Sequence, residues 1–160
     1  MNKIIIMLLM VMAYISGSVP NALWVGKIFK GIDVREHGSR NTGSTNAARV
    51  LGAKLGILTL ILDVSKGSVP LLLALFLEKS LSENNISSNI VLILIGVCAI
   101  IGHSFSIFLK FKGGKAVATT LGVFIVLVPK AILIVAVVFF LVFALFRYVS
   151  LSSISAAVTL

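Results

Sequence analysis

The sequence predicts an all-α fold: a polytopic transmembrane helix bundle with about five spans plus an incomplete last helix. Three observations lead there. Of 160 residues, 59% are hydrophobic and only 12% are charged, with mean hydropathy +1.15, a balance foreign to soluble globular domains. Long apolar stretches alternate with short polar loops. The basic residues gather in two of those loops. At roughly 20 apolar residues per span the length allows five or six crossings, and hence a single membrane domain over residues 1–160.

The apolar stretches run from Ile4 to about Phe29, Val50 to Leu77, Ile90 to Leu109, Ala116 to Val128 and Ala131 to Phe146, and a last one opens after Arg147. The first, with Lys3 ahead of an apolar run ending at Ser16-Gly17-Ser18, also resembles a secretory signal. Apolar residues resume through Trp24, Val25 and Ile28, so it reads as a span. Pro129-Lys130 splits the fourth stretch from the fifth, because proline is disfavoured in helix interiors and the lysine gives a polar stop. Each half is short, so tilted helices are expected. The residues after Arg147 are too few to cross a hydrocarbon core about 30 Å thick, and the domain is expected to be C-terminally incomplete.

Orientation follows from charge. Lys27, Lys30, Arg35, Arg40, Arg49 and Lys54 fall between the first two stretches, and Lys110, Lys112 and Lys115 between the third and fourth. The loop Glu78–Asn89 has one lysine. The positive-inside rule makes both basic loops cytoplasmic, and the Glu78–Asn89 loop and the N-terminus external. The net charge of +9 sits in loops and not on one amphipathic face, which points to anionic lipids and substrates and away from nucleic acid. Cys98, the single cysteine, lies in an apolar run, so thiol chemistry and a disulfide framework are excluded.

The first basic loop reads His37-Gly38-Ser39-Arg40-Asn41-Thr42-Gly43-Ser44-Thr45-Asn46-Ala47-Ala48-Arg49. Glycines let backbone N–H groups converge on an anion, hydroxyls and amides such as Asn41, Thr45 and Asn46 add donors, and arginine offers a bidentate fork for phosphate. The plain alternative is a polar loop that caps the following helix. In the second loop, Lys112-Gly113-Gly114-Lys115 stands where a helix opens, so free backbone donors and positive charge are expected at a helix N-terminus. It is not a Walker A loop, since Leu109 replaces the required glycine and Ala116 the hydroxyl residue. Lys110 reads as an interfacial anchor.

Asp63 and Lys66 lie three apart inside an apolar stretch and share a helical face. Ionisable groups there mark either a functional cavity, with Lys66 available to a phosphate, or a structural ion pair. The five acids, Asp33, Glu36, Asp63, Glu78 and Glu83, are scattered, so no carboxylate cluster is offered to a metal and no cofactor is expected.

Together these residues resemble one family, the bacterial acyl-phosphate:glycerol-3-phosphate acyltransferases of the PlsY type. The matching stretches are Gly17-Ser18-Val19-Pro20, Arg35-Glu36-His37-Gly38-Ser39 through Asn46 to Arg49-Val50-Leu51-Gly52, Asp63 to Gly67, and Gly102-His103 to Ala118-Thr119. The resemblance implies transfer of a fatty acyl group from acyl phosphate to the first hydroxyl of glycerol 3-phosphate, in phospholipid synthesis at the bacterial cell membrane. The enzyme that makes acyl phosphate is then a candidate partner. It makes Ser39 and Arg49 catalytic, and Lys112, Gly113, Gly114 and Lys115 the phosphate-binding element. His103 is either a general base or a hydrogen-bonded structural group. Arg40 stands where the family more usually has glycine. A third motif expected after further spans is absent, so the 160-residue chain is expected to be poorly active. The alternative class is a transporter or flippase of a phosphorylated metabolite, disfavoured because both glycine-rich loops cluster on one face. A third, a subunit that docks other lipid enzymes, predicts that Ser39→Ala leaves chemistry untouched.

Overall fold

The computed structural model describes residues 3–80 and 88–160, and among these every regular element is helical. The predicted outer loop, Glu78–Asn89, lies mostly outside the described residues. Two compact units, Met1–Val123 and Phe124–Leu160, divide the chain.

In the first unit the expected opening span is two helices, α1 (Lys3–Ser18) and α2 (Asn21–Lys30), bent by 44°. Pro20 causes the break: it has no N–H and restricts Val19 before it. Gly31, left-handed at φ 65°, ends α2. Its N–H bonds the Lys27 carbonyl while that of Ile32 bonds the Gly26 carbonyl, a paired closure that only glycine adopts without strain.

The second half of the predicted first loop is helical, contrary to expectation. α3 (Ser44–Leu51) starts after Gly43 and stops at Gly52, whose φ is 96°. Its apolar positions Ala47 and Leu51 bury with Ala22 and Val25 of α2 and with Val34. That packing outweighs the loop-like composition of Ser44-Thr45-Asn46. α4 (Ala53–Ser80) is the long span; its Pro70 leaves the Lys66 carbonyl without the usual helical donor. α5 (Ser88–Ser104) is followed by a short 3-10 turn, Ile107–Leu109, and then by α6 (Val117–Leu127).

Backbones approach closely where glycine meets a facing carbonyl. A Cβ at Gly17 would collide with the Ala99 carbonyl and one at Gly102 with that of Tyr14, joining α1 to α5. Gly67 against Thr119, and Gly122 against Val64, join α4 to α6 in the same reciprocal way. Small residues at such crossings suit helix packing in lipid, where no hydrophobic force draws helices together.

The second unit holds the end of α6, then α7 (Pro129–Phe146) and α8 (Val149–Thr159). Proline stands at the start of α7 as expected, and Arg147, left-handed at φ 59°, closes it through a bond to the Phe143 carbonyl. Among the described residues, three helices are long and apolar enough to cross a membrane, or four if α1 and α2 make one broken span, while α6 and α8 are shorter. The molecule is an integral membrane protein.

Candidate functional site

The first loop is organised by Asn46, on the first turns of α3. Its side chain is only 2% exposed. Oδ1 accepts the Ser39 N–H at 2.8 Å, and Nδ2 donates to the carbonyls of Val34 (2.9 Å), Asn41 (3.0 Å) and His37 (3.2 Å). The Asn46 side chain, which the sequence offered as a phosphate contact, is engaged here as the template on which residues 34–41 fold. Gly38, at φ 58°, leaves no space for a side chain, since a Cβ would strike Asn46 Oδ1 and lie 3.4 Å from the Arg49 Cδ. The stem of Arg49 thus runs along the residue that precedes Ser39, and both Ser39 and Arg49 are exposed.

Two further features shape this loop. Arg35 donates to both carboxylate oxygens of Asp33, at 2.9 and 2.6 Å, and that bond holds the Asp33 carboxyl at about 2, below its ordinary value. Arg40 is left-handed at φ 59°, the conformation in which glycine is the unstrained residue. The departure noted in the sequence falls on that strained position. Asn41 is half-buried and Thr45 exposed on α3.

The second loop folds back on the end of α5. The Gly113 N–H donates to the Ser104 carbonyl at 3.0 Å and the Gly114 N–H to the His103 carbonyl at 3.1 Å. This corrects the expectation of free donors. α6 begins only at Val117, so the glycine pair does not open a helix either. The pair is glycine because of what it touches: a Cβ at Gly113 would collide with the His103 carbonyl, and one at Gly114 with His103 Nε2. Lys112 and Lys115, on either side, are exposed.

His103 is buried, with Nδ1 3.0 Å from Thr119 Oγ1 on α6. Of the two readings open for it, this geometry displays the hydrogen-bonded seat. The loops meet here, because a Cβ at Gly114 would lie 3.3 Å from the hydroxyl of buried Thr42. The Ser106 hydroxyl, bonded to the Ser18 carbonyl, and Tyr14 OH, donating to the Phe105 carbonyl at 2.9 Å, tie the second loop to α1.

Lys66 is buried beneath the site and not presented to solvent. Its Nζ lies 3.0 Å from Asp63 Oδ1 and donates to the Val19 carbonyl at 2.8 Å, while Asn21 Nδ2 donates to Asp63 Oδ1 at 2.9 Å. The pair fastens α4 to both sides of the α1–α2 break, where backbone groups would otherwise lack partners in lipid. The phosphate role suggested for Lys66 gives way to this one. Gly67, the next residue, packs on Thr119, so one turn of α4 supports the first loop through α2 and the seat of His103 through α6.

The structure thus lays the stem of Arg49 along Gly38, the residue before Ser39, sets the glycine pair against His103, and brings the second loop to the first at Thr42. Thr42, Thr119, Asn21 and Ser106 were not singled out in the sequence. Only Asn21 carried a signal, as an amide beside a proline break inside an apolar run.

The profile of the family described as glycerol-3-phosphate acyltransferase matches residues 7–160. A glycerol-3-phosphate acyltransferase of Fusobacterium nucleatum is 50% identical over 147 residues, covering 92% of this chain and 72% of the relative. One from Streptococcus equi subsp. equi is 46% identical over 153 residues, covering 96% of this chain and 67% of the relative. Two crystal structures of PlsY (YgiH), an integral membrane glycerol 3-phosphate acyltransferase, superpose with TM-scores of 0.83 for the glycerol 3-phosphate form and 0.81 for the lysophosphatidic acid form. Their identities are 38% and 37%, and each alignment covers 96% of this chain, with 73% and 72% of theirs. With its matching loops and helices, the chain belongs to the glycerol-3-phosphate acyltransferase family of integral membrane enzymes.

Proposed function

We propose that the chain transfers a fatty acyl group from acyl phosphate to the 1-hydroxyl of glycerol 3-phosphate, giving 1-acyl-glycerol 3-phosphate and phosphate. The carrying observation is the seam at Thr42, where two basic loops with exposed Arg40, Arg49, Lys112 and Lys115 join. Both substrates are phosphorylated, so a site that brings them together must offset the repulsion of two anions and stabilise charge on the departing phosphate. The hydroxyl oxygen bonds to the acyl carbon, the bond from that carbon to the phosphate oxygen breaks, and the hydroxyl proton leaves with the phosphate. An acyl phosphate already has a good leaving group, so no acyl-enzyme is needed.

In this reading Ser39 and Arg49 act at the reacting groups, Lys112 and Lys115 attract phosphate, and Asn41 and Thr45 add polar contacts at the rim. His103 positions the glycine loop. The active face is the cytoplasmic side of the bacterial cell membrane, with the N-terminus outside, and the enzyme that makes acyl phosphate is a partner by supply. The test offers palmitoyl phosphate and palmitoyl-CoA in detergent, where transport cannot occur, to the 160-residue chain and to a version extended by the C-terminal segment of a relative. The reading expects 1-acyl-glycerol 3-phosphate and phosphate in equal amounts from palmitoyl phosphate alone. Equal use of palmitoyl-CoA, or no product from either chain, overturns it.

A further inference from the structure

Arg40 has a conformation that its residue type disfavours, and the structure shows what imposes it. The Ser39 N–H before it and the Asn41 carbonyl after it are both bonded to the one buried side chain of Asn46. The Arg40 N–H itself closes a turn on the His37 carbonyl at 3.0 Å. Pinned on both sides, the residue between is driven to φ 59°. Glycine would occupy this position without strain, as it does at Gly38 in the same loop. Strain of this kind persists where surrounding bonds over-determine it, and it gathers at ligand-binding sites.

The side chain held there is a cation. It is exposed and takes part in none of the ion pairs found among the described residues. It stands two residues after Gly38, along which the Arg49 stem runs, and two before Thr42, which lies against Gly114. Arg40 therefore occupies the short segment that links the two halves of the site. A guanidinium fork on a backbone fixed from both sides loses little freedom on meeting a phosphate.

We propose that Arg40 is a phosphate-binding residue of this site, held out by the Asn46 clamp to meet the phosphomonoester of an incoming substrate. The assignment rests on reading the site as one for two phosphorylated substrates, glycerol 3-phosphate and acyl phosphate.

The experiment uses the full chain in detergent with Arg40→Gly, Arg40→Gln and Arg40→Lys. Affinity is measured for glycerol 3-phosphate and separately for a non-hydrolysable acyl phosphonate, so that the two arms tell which phosphate is met, and unfolding temperature is recorded alongside. Arg40→Gly should unfold at a higher temperature yet bind one of the two ligands about tenfold more weakly. Arg40→Gln should lose the same affinity without the gain in stability, and Arg40→Lys should keep part of it. Wild-type affinity for both ligands in Arg40→Gly overturns the assignment. Failure of the wild-type chain to bind either ligand overturns the reading of the whole site, and Arg40 with it.

Discussion

Asn46 Oδ1 accepts the backbone N–H of Ser39 at 2.8 Å, so a residue of α3 sets the path of the loop seven positions before it. Asn46→Ala removes that acceptor and the donors to three carbonyls at a buried site. The bond to the Val34 carbonyl is the fully buried one, and leaving that carbonyl without a partner costs about 1–3 kcal/mol, while the other groups are reachable by water. We expect a clear fall in unfolding temperature together with loss of glycerol 3-phosphate binding. A variant with wild-type unfolding and binding would show that the loop holds its shape without this side chain.

Gly113→Ala and Gly114→Ala both press on His103, the first on its carbonyl and the second on its ring. A ring turns more readily than backbone moves, so Gly113→Ala should be the more damaging in thermal unfolding. Both should lower stability and turnover together. A raised Michaelis constant for one substrate with unchanged stability would restore the glycines as direct phosphate contacts.

The buried pair of Asp63 and Lys66 offers a double-mutant test. Removing one partner leaves a charge uncompensated at a cost of about 3–5 kcal/mol. Lys66→Met alone should therefore be more destabilising than Asp63→Asn with Lys66→Met, as measured by unfolding in detergent. Additive losses would mean that the two charges do not interact.

Asp33 supplies a pH dependence. Its folded value of about 2 lies below the ordinary 3.8 because Arg35 bonds its charged form. A depressed carboxylate contributes stability above its ordinary value, and that contribution is lost as pH falls toward about 2. Asp33→Asn should then unfold below wild type at neutral pH, with the gap closing between pH 3.8 and 2. The Arg35 side chain is 45% exposed, so the gap should be small. A constant gap across that range would assign the effect to the loop turn and not to the charge.

The legible part of this molecule was its membrane character. The stretches that became α4, α5 and α7 stood out because lipid demands long apolar helices with internal backbone bonding. Pro129 marked the start of α7 for the same local reason that Pro20 broke the first span, yet the first break was missed. Asn21 marks a polar position beside Pro20, but nothing in that apolar run shows that Asp63 and Lys66 will gather there. Composition also concealed α3, whose helix rests on Ala47 and Leu51 packing against α2. Ser39, Arg49 and the glycine pair were proposed for the site by motif, but the partners of the glycines were not foreseen. A glycine that admits a phosphate and one that admits the protein's own carbonyl read alike in sequence, and only the bonds to His103 and Ser104 separate them.

The role proposed for the exposed side chains of Ser39 and Arg49 is to act on the transferred acyl and phosphate groups. It is tested most directly by the turnover of palmitoyl phosphate and glycerol 3-phosphate to 1-acyl-glycerol 3-phosphate by Ser39→Ala and Arg49→Ala, in the 160-residue chain or its extended form, whichever is active. We predict a fall of about a hundredfold or more in each, as for other groups that stabilise charge in a transition state, with normal membrane insertion and unfolding. Turnover close to wild type in either properly inserted variant would contradict the role of that residue, and in both would contradict the site.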